Sequence, residues 1–199
     1  MPDFEEVSIA DLSYAKKQLL QASNRLAQLK NQYYMGEEDM SPSQISIDDL
    51  NDIMLGISPV VAISDCQVCV ELSAKAMCKT VGVNPPESHD LEFENDRIEG
   101  LFSRIPDEFR SSNKIPRVIF LVQFWERFYT LAKYGVPEKN LASHDFMKPR
   151  DARRAIQDAE YCRAVGLELH NYVLSEKGIG IEDLDFNYPP EILDRFEAE

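Results

Sequence analysis

Positive charge is scarce in this chain: 21 Lys and Arg stand against 35 Asp and Glu, a formal net charge of −14. That field repels polyanions, so generic binding to nucleic acid or to an anionic membrane is disfavoured, and only a local basic patch escapes the argument. Long apolar runs are missing too, since none approaches the ~18 residues that a membrane span needs. The opening residues, Met1 to Ser8, lack the basic and apolar regions of a secretory leader. Together these absences predict a cytoplasmic protein with no membrane partner. Only four cysteines occur, Cys66, Cys69, Cys78 and Cys162, all within helical patterns, which points to reduced, packed thiols. Histidine is rarer still, with three in 199 residues, so a catalytic reading has few side chains to draw on. No phosphate-binding loop, GxGxxG, HExxH or nucleophile-elbow pattern is present, and neither a cofactor nor a metal is expected. Period-2 alternation is also missing, which leaves an all-α chain.

What the sequence does contain is helical periodicity. The stretch 59–91 organises the rest. Ser58 and Pro59 form a helix start, Gly82 suits a left-handed C-cap, and Pro85-Pro86 forbids continuation. Between them most of the circumference is apolar or small, and only Asp65, Gln67, Glu71, Lys75 and Lys79 mark a wet side. A helix apolar over so much of its surface is surrounded by others. Before it, Ser8-Ile-Ala-Asp11 opens a helix whose Leu12, Ala15, Leu19, Ala22, Leu26, Leu29 and Tyr33 recur at spacings of three and four. That seam is read as a long bundle helix packing on its neighbour. A polar connector and a short helix from Ser46 to Leu55 form an insertion over residues 37–57.

After the central helix, Ile98, Leu101, Phe102 and Ile105 carry a weaker helical stripe to Pro106, and residues 107–114 read as loop. Ile115-Pro116 opens a helix with a broad aromatic face (Phe120, Phe124, Trp125, Phe128), closed by Gly135 and Pro137. Residues 136–149 read as a long loop. Lys148-Pro149 starts the last long helix, with Ala152, Ile156, Ala159, Cys162, Leu169 and Val173 inward, and Gly178 ends it. The architecture expected is an up-and-down bundle of four to five main helices in one domain over 1–199. Its core covers roughly 8–177, and an acidic tail over 178–199 carries a short helix after Pro189-Pro190.

Two strings carry a family resemblance. Glu71-Leu-Ser-Ala-Lys75-Ala-Met-Cys-Lys79 is followed by Gly82-Val-Asn-Pro85-Pro86-Glu-Ser-His89-Asp90-Leu91. In order and spacing these resemble the HEPN superfamily, and the likeness extends from about Leu12 to Glu176. The resemblance implies an all-α bundle, a homodimer, and an RNA or nucleotide ligand. It also raises the prospect of a metal-independent ribonuclease of the toxin or defence type, built on an Arg-x(4–6)-His motif. There a histidine would move a proton at the ribose or leaving oxygen, and an arginine would stabilise phosphorane charge.

Two places bear on that motif. Arg163 and His170 satisfy the spacing literally, with six residues between them. Seven positions are almost two turns, so both share one helix face; the preferred reading is that they are ordinary exposed positions on an amphipathic helix. Arg127 stands in the segment similar to the family's motif, but Lys133 occupies the place of the histidine. Lysine binds phosphate and makes a poor general base near neutral pH. Lys148, Arg150, Arg153 and Arg154 make the start of the last helix basic, either as a phosphate patch with Lys133 or as salt-bridge partners for nearby acids. Cys66, Cys69, Cys78 and His89 could supply four zinc ligands, but Cys66 and Cys69 lie one turn apart without a knuckle, and core packing is the preferred reading. His144-Asp145 is read as a cap. Two functions therefore stand side by side. One is a nucleotide- or RNA-binding HEPN-like protein with or without nuclease activity. The other is a non-catalytic module that pairs with a nucleotidyltransferase-like or other protein partner.

Overall fold

The computed structural model describes residues 4–34, 58–85 and 95–184. The expected helix from Ser46 to Leu55, the turn through His89, and the tail from residue 185 lie outside the described residues. Among the described residues four helices are long: α1 (Ile9–Tyr34), α2 (Pro59–Thr80), α5 (Lys114–Tyr134) and α7 (Pro149–Lys177). Between them come α3 (Asn95–Arg104), α4 (Asp107–Ser111) and the single-turn α6 (Ser143–Phe146). No strand occurs among the described residues, and the fold is an all-α helical bundle.

Local chemistry sets the ends. Ser8 and Asp11 cap α1 reciprocally: Ser8 Oγ accepts the Asp11 amide at 3.1 Å, and Asp11 Oδ2 accepts the Ser8 amide at 3.3 Å. Pro59 and Pro149 occupy first-turn positions, where a missing N–H is harmless. α2 closes in a Schellman motif on Gly82 (φ 73°), with the Val83 amide on the Cys78 carbonyl and the Gly82 amide on that of Lys79.

α2 touches α1, α5 and α7, and so takes the central place that its composition predicts. Arg25–Asp65 and Lys79–Asp11 tie α1 antiparallel to α2, while Lys30–Glu160 and Lys177 Nζ on the Phe4 carbonyl tie it antiparallel to α7. α5 also runs antiparallel to α7, with Lys114 paired to Glu168 and Trp125 opposite Asp158. Leu12, Ala15, Leu19, Ala22, Leu26 and Leu29, the seam of α1, are all buried.

Several expectations are corrected. Residues 107–111 form α4 rather than loop, because Phe109 is buried and anchors the turn. The segment 136–149 is partly ordered by a Val136–Leu141 bridge and by α6. Gln67 and Glu71 do not lie on a wet side. Both are buried, and Lys75 pairs with Glu71 at 2.7 Å. Phe120 leaves the aromatic face of α5 for solvent, with 61% exposure.

The tightest approach is at Gly166. A Cβ there would lie 2.9 Å from Leu19 Cδ2 and 3.5 Å from the Ser73 carbonyl oxygen, so α7 meets α1 and α2 nearly backbone to side chain. Gly100 in α3 has nothing within 4 Å of the same position. Gly166→Val is expected to lower the urea midpoint by an amount equivalent to about 1–3 kcal/mol through overpacking. Gly100→Ala is expected to raise stability by up to about 1 kcal/mol through helix propensity. Equal effects at the two glycines would contradict this packing.

Candidate functional site

The literal Arg-x6-His pair divides. Both residues sit on the α1-facing side of α7, but they meet different depths of it. Arg163 lies at the rim, half-buried, with Nη1 3.4 Å from Ser23 Oγ. His170, two turns on and one turn past Gly166, is fully buried, and neither ring nitrogen has a hydrogen-bond partner. Burial, and then the nearby Lys16 charge, lowers its pKa to about 4. The reading of His170 as an exposed position is therefore corrected: α1 covers it. Such a histidine is neutral at physiological pH, and its nitrogens do not reach solvent.

Arg127 is exposed on α5 and makes no described side-chain contact. Lys133 is exposed too, with Nζ 3.2 Å from Tyr129 Oη and 5.3 Å from the ring centroids of both Tyr129 and Tyr134. Hydrogen bonding to Tyr129, then Tyr134, raises its pKa, so it is a firm cation at neutral pH and no general base. The antiparallel register of α5 and α7 puts these two residues at the end of the bundle that carries the start of α7. There Lys148 Nζ reaches the Asp145 carbonyl at 3.0 Å, and Arg150 stands exposed, 3.8 Å from Asp151. Arg153 is half-buried and Arg154 exposed. The predicted phosphate-binding set thus gathers at one end, although part of it is spent on local acids.

Sequence reading missed the most ordered part of this surface. Asp158 is buried in α7, where Oδ2 accepts Arg154 Nε–H at 3.0 Å and Trp125 Nε1–H at 3.3 Å. Arg117 of α5 lies 3.9 Å from Oδ1, and its guanidinium lies 4.1 Å from the Tyr161 ring centroid. One signal was available: Asp158 interrupts the small inward residues Ala155, Ala159 and Cys162, four positions after an arginine. His144 is exposed, and Asp145 Oδ2 caps α6 by accepting the Ala142 amide at 2.8 Å.

The four cysteines are buried and free. Burial pushes the Cys69 thiol up to about 12 and raises Cys66 and Cys162 as well, so none is a ready thiolate. No cluster of three metal-ligating side chains occurs among the described residues, and none of their helices is long and apolar enough to cross a membrane.

The buried imidazole has a measurable consequence. An unfolded chain protonates His170 near the ordinary value of 6.5, whereas the folded protein resists until about 4. Its contribution to stability is whole above that window and is lost as pH falls through it, at up to about 1.4 kcal/mol per pH unit. Urea midpoints at pH 7 and pH 5 should therefore differ less for His170→Leu than for wild type. An identical pH slope in the variant would show that the imidazole is not buried neutral.

A family model described as the HEPN domain matches residues 60–169, more than half of the chain. No curated protein and no solved structure matches it. The matched segment runs from α2 into α7 and contains Arg127, Lys133 and Arg163. On that match and on its all-helical bundle, the chain belongs to the HEPN domain family.

Proposed function

We propose that this HEPN-family protein binds RNA or a nucleotide without cleaving it through Arg163 and His170. The observation that carries the reading is the cation-and-aromatic surface on α5 and the start of α7. Lys133 stands exposed there against Tyr129 and Tyr134, with Arg127 exposed on the same helix and Lys148 and Arg150 at the same end. Cations track a phosphate backbone and aromatic faces accept bases, a pairing suited to single strands. The burial of His170 argues against the nuclease form of the proposal. A proton shuttle must come within hydrogen-bond reach of the substrate, and this imidazole is fully buried. Lys133 supplies charge in its place, and not a base.

The test is a metal-free assay with EDTA, in which a labelled single-stranded RNA is followed both for binding and for cleavage. Wild type is expected to bind without cutting. Affinity should fall as salt rises from about 50 to about 200 mM, and the double variant Arg127→Ala/Lys133→Ala should weaken it about tenfold or more. Cleavage that disappears in His170→Ala would overturn the non-catalytic reading. Absence of binding by the folded protein would overturn the ligand class and leave the protein-pairing function ahead.

A further inference from the structure

The predicted basic set treats Arg154 as one charge among several, but the structure gives it a partner that the sequence did not show. Asp158 is a single carboxylate, nearly sealed from solvent, that holds two guanidinium groups on its two oxygens: Arg154 on Oδ2 at 3.0 Å and Arg117 at 3.9 Å from Oδ1. One carboxylate neutralises one arginine, and its Oδ2 already accepts the Trp125 N–H as well. The second arginine exceeds what burying Asp158 requires, so a positive charge is left over on the surface. Both arginine side chains remain half exposed or more, at 50% and 60%. Arg154 contacts Asp158 through Nε, which leaves its two terminal nitrogens without described partners. Arg117 is held besides by its cation–π contact with Tyr161. Two arginines fixed by one buried anion, with donors still free, are ordered for another anion before it arrives, and the planar forks match a phosphodiester.

A base platform adjoins them. Phe120 lies three residues from Arg117, hence on a neighbouring part of the α5 surface, and is 61% exposed. It stacks on Phe124 (centroids 5.9 Å apart, planes 23° apart), and Phe124 packs edge-on against Trp125. Trp125 in turn donates to Asp158, so one chain of contacts fixes both the ring and the clamp.

We propose that Arg117 and Arg154, positioned by Asp158, clamp a phosphate of a single-stranded RNA, and that Phe120 stacks the adjoining base. This deepens the RNA-binding reading and rests on it. It places the ordered contact on Arg117, Arg154 and Phe120, and gives Arg127 and Lys133 a general electrostatic part.

The test measures fluorescence anisotropy of a labelled oligouridylate and of an abasic oligomer of the same length. The proteins are wild type, Arg117→Lys, Arg154→Lys and Phe120→Ala, each checked for fold by thermal melting. Lysine keeps a counter-ion beside Asp158, so folding is retained while the fork is lost. Each arginine variant is expected to weaken both oligomers about fivefold or more. Phe120→Ala should weaken only the oligomer with bases, because stacking needs a base. Unchanged affinity in all three variants, while Arg127→Ala/Lys133→Ala still weakens binding, would overturn the clamp and leave RNA binding standing. No RNA binding by wild type would overturn both. Polyglutamate that binds equally well, with the same dependence on Arg117 and Arg154, would overturn the nucleic-acid assignment in favour of an acidic peptide.

Discussion

The crossing at Gly166 governs this structure, because it lets α7 lie against α1 and α2 at once. A Cβ there would already displace Leu19 Cδ2 and would fill the space up to the Ser73 carbonyl oxygen, so any larger side chain would have to push the helices apart. Closure at this point fixes the fate of both residues of the literal motif. One turn before the glycine, Arg163 is long enough to reach the rim and meet Ser23. One turn after it, His170 falls under α1, where its short ring cannot reach water. A long cation escapes a packed interface through its flexible stem, whereas an imidazole two bonds from the backbone does not. The same packing that makes the bundle therefore separates the arginine from the histidine chemically, although both lie on one helix face.

Burial of polar groups follows a different rule at each place where it occurs. Buried Glu71 is paired with the half-buried Lys75 one turn on in α2, and Asp158 is buried with a tryptophan N–H and two arginines. Both arrangements satisfy the requirement that a buried charge keep its partners. His170 enters alone and avoids the charge by staying neutral, which its depressed pKa reflects. Such a group contributes no specific bond to the core, and its unsatisfied nitrogens cost stability.

The fold was legible because its signals are redundant. Helix ends were marked by Ser8, Pro59, Gly82, Pro149 and Gly178, and the α1 seam repeats at helical spacing. The central place of α2 was legible from its nearly all-round apolar surface. What escaped was side-chain depth on faces shared by two neighbours. Gln67 and Glu71 look like a wet stripe, and His170 like the polar edge of an amphipathic helix, until the bundle closes over them. Residue type gives the preference of a side chain, but tertiary packing decides whether it is honoured. The Asp158 cluster was hidden for a related reason. Its members come from positions 117, 125, 154, 158 and 161 on two helices, and only the antiparallel pairing of α5 with α7 brings them together.

An anion site on a chain of net charge −14 has to work against the rest of the molecule, and distance decides the balance. Screening at about 0.1 M salt confines an exposed charge to a range of roughly 10 Å. Acids at the far end of a helix of 29 residues, about 40 Å long, barely act on the start of α7. The local balance therefore matters more than the total. Near the surface on α5 and α7 the arginines and lysines face a few acids, among which Asp151 and Asp145 cap helices and Asp158 is buried. Those carboxylates are already committed to backbone amides or to guanidinium groups, so a polyanion meets the free nitrogens first. Added salt therefore acts chiefly by weakening the contacts with phosphate. The salt dependence of binding should accordingly follow the number of phosphate contacts, and neutralising remote acidic residues should barely change it.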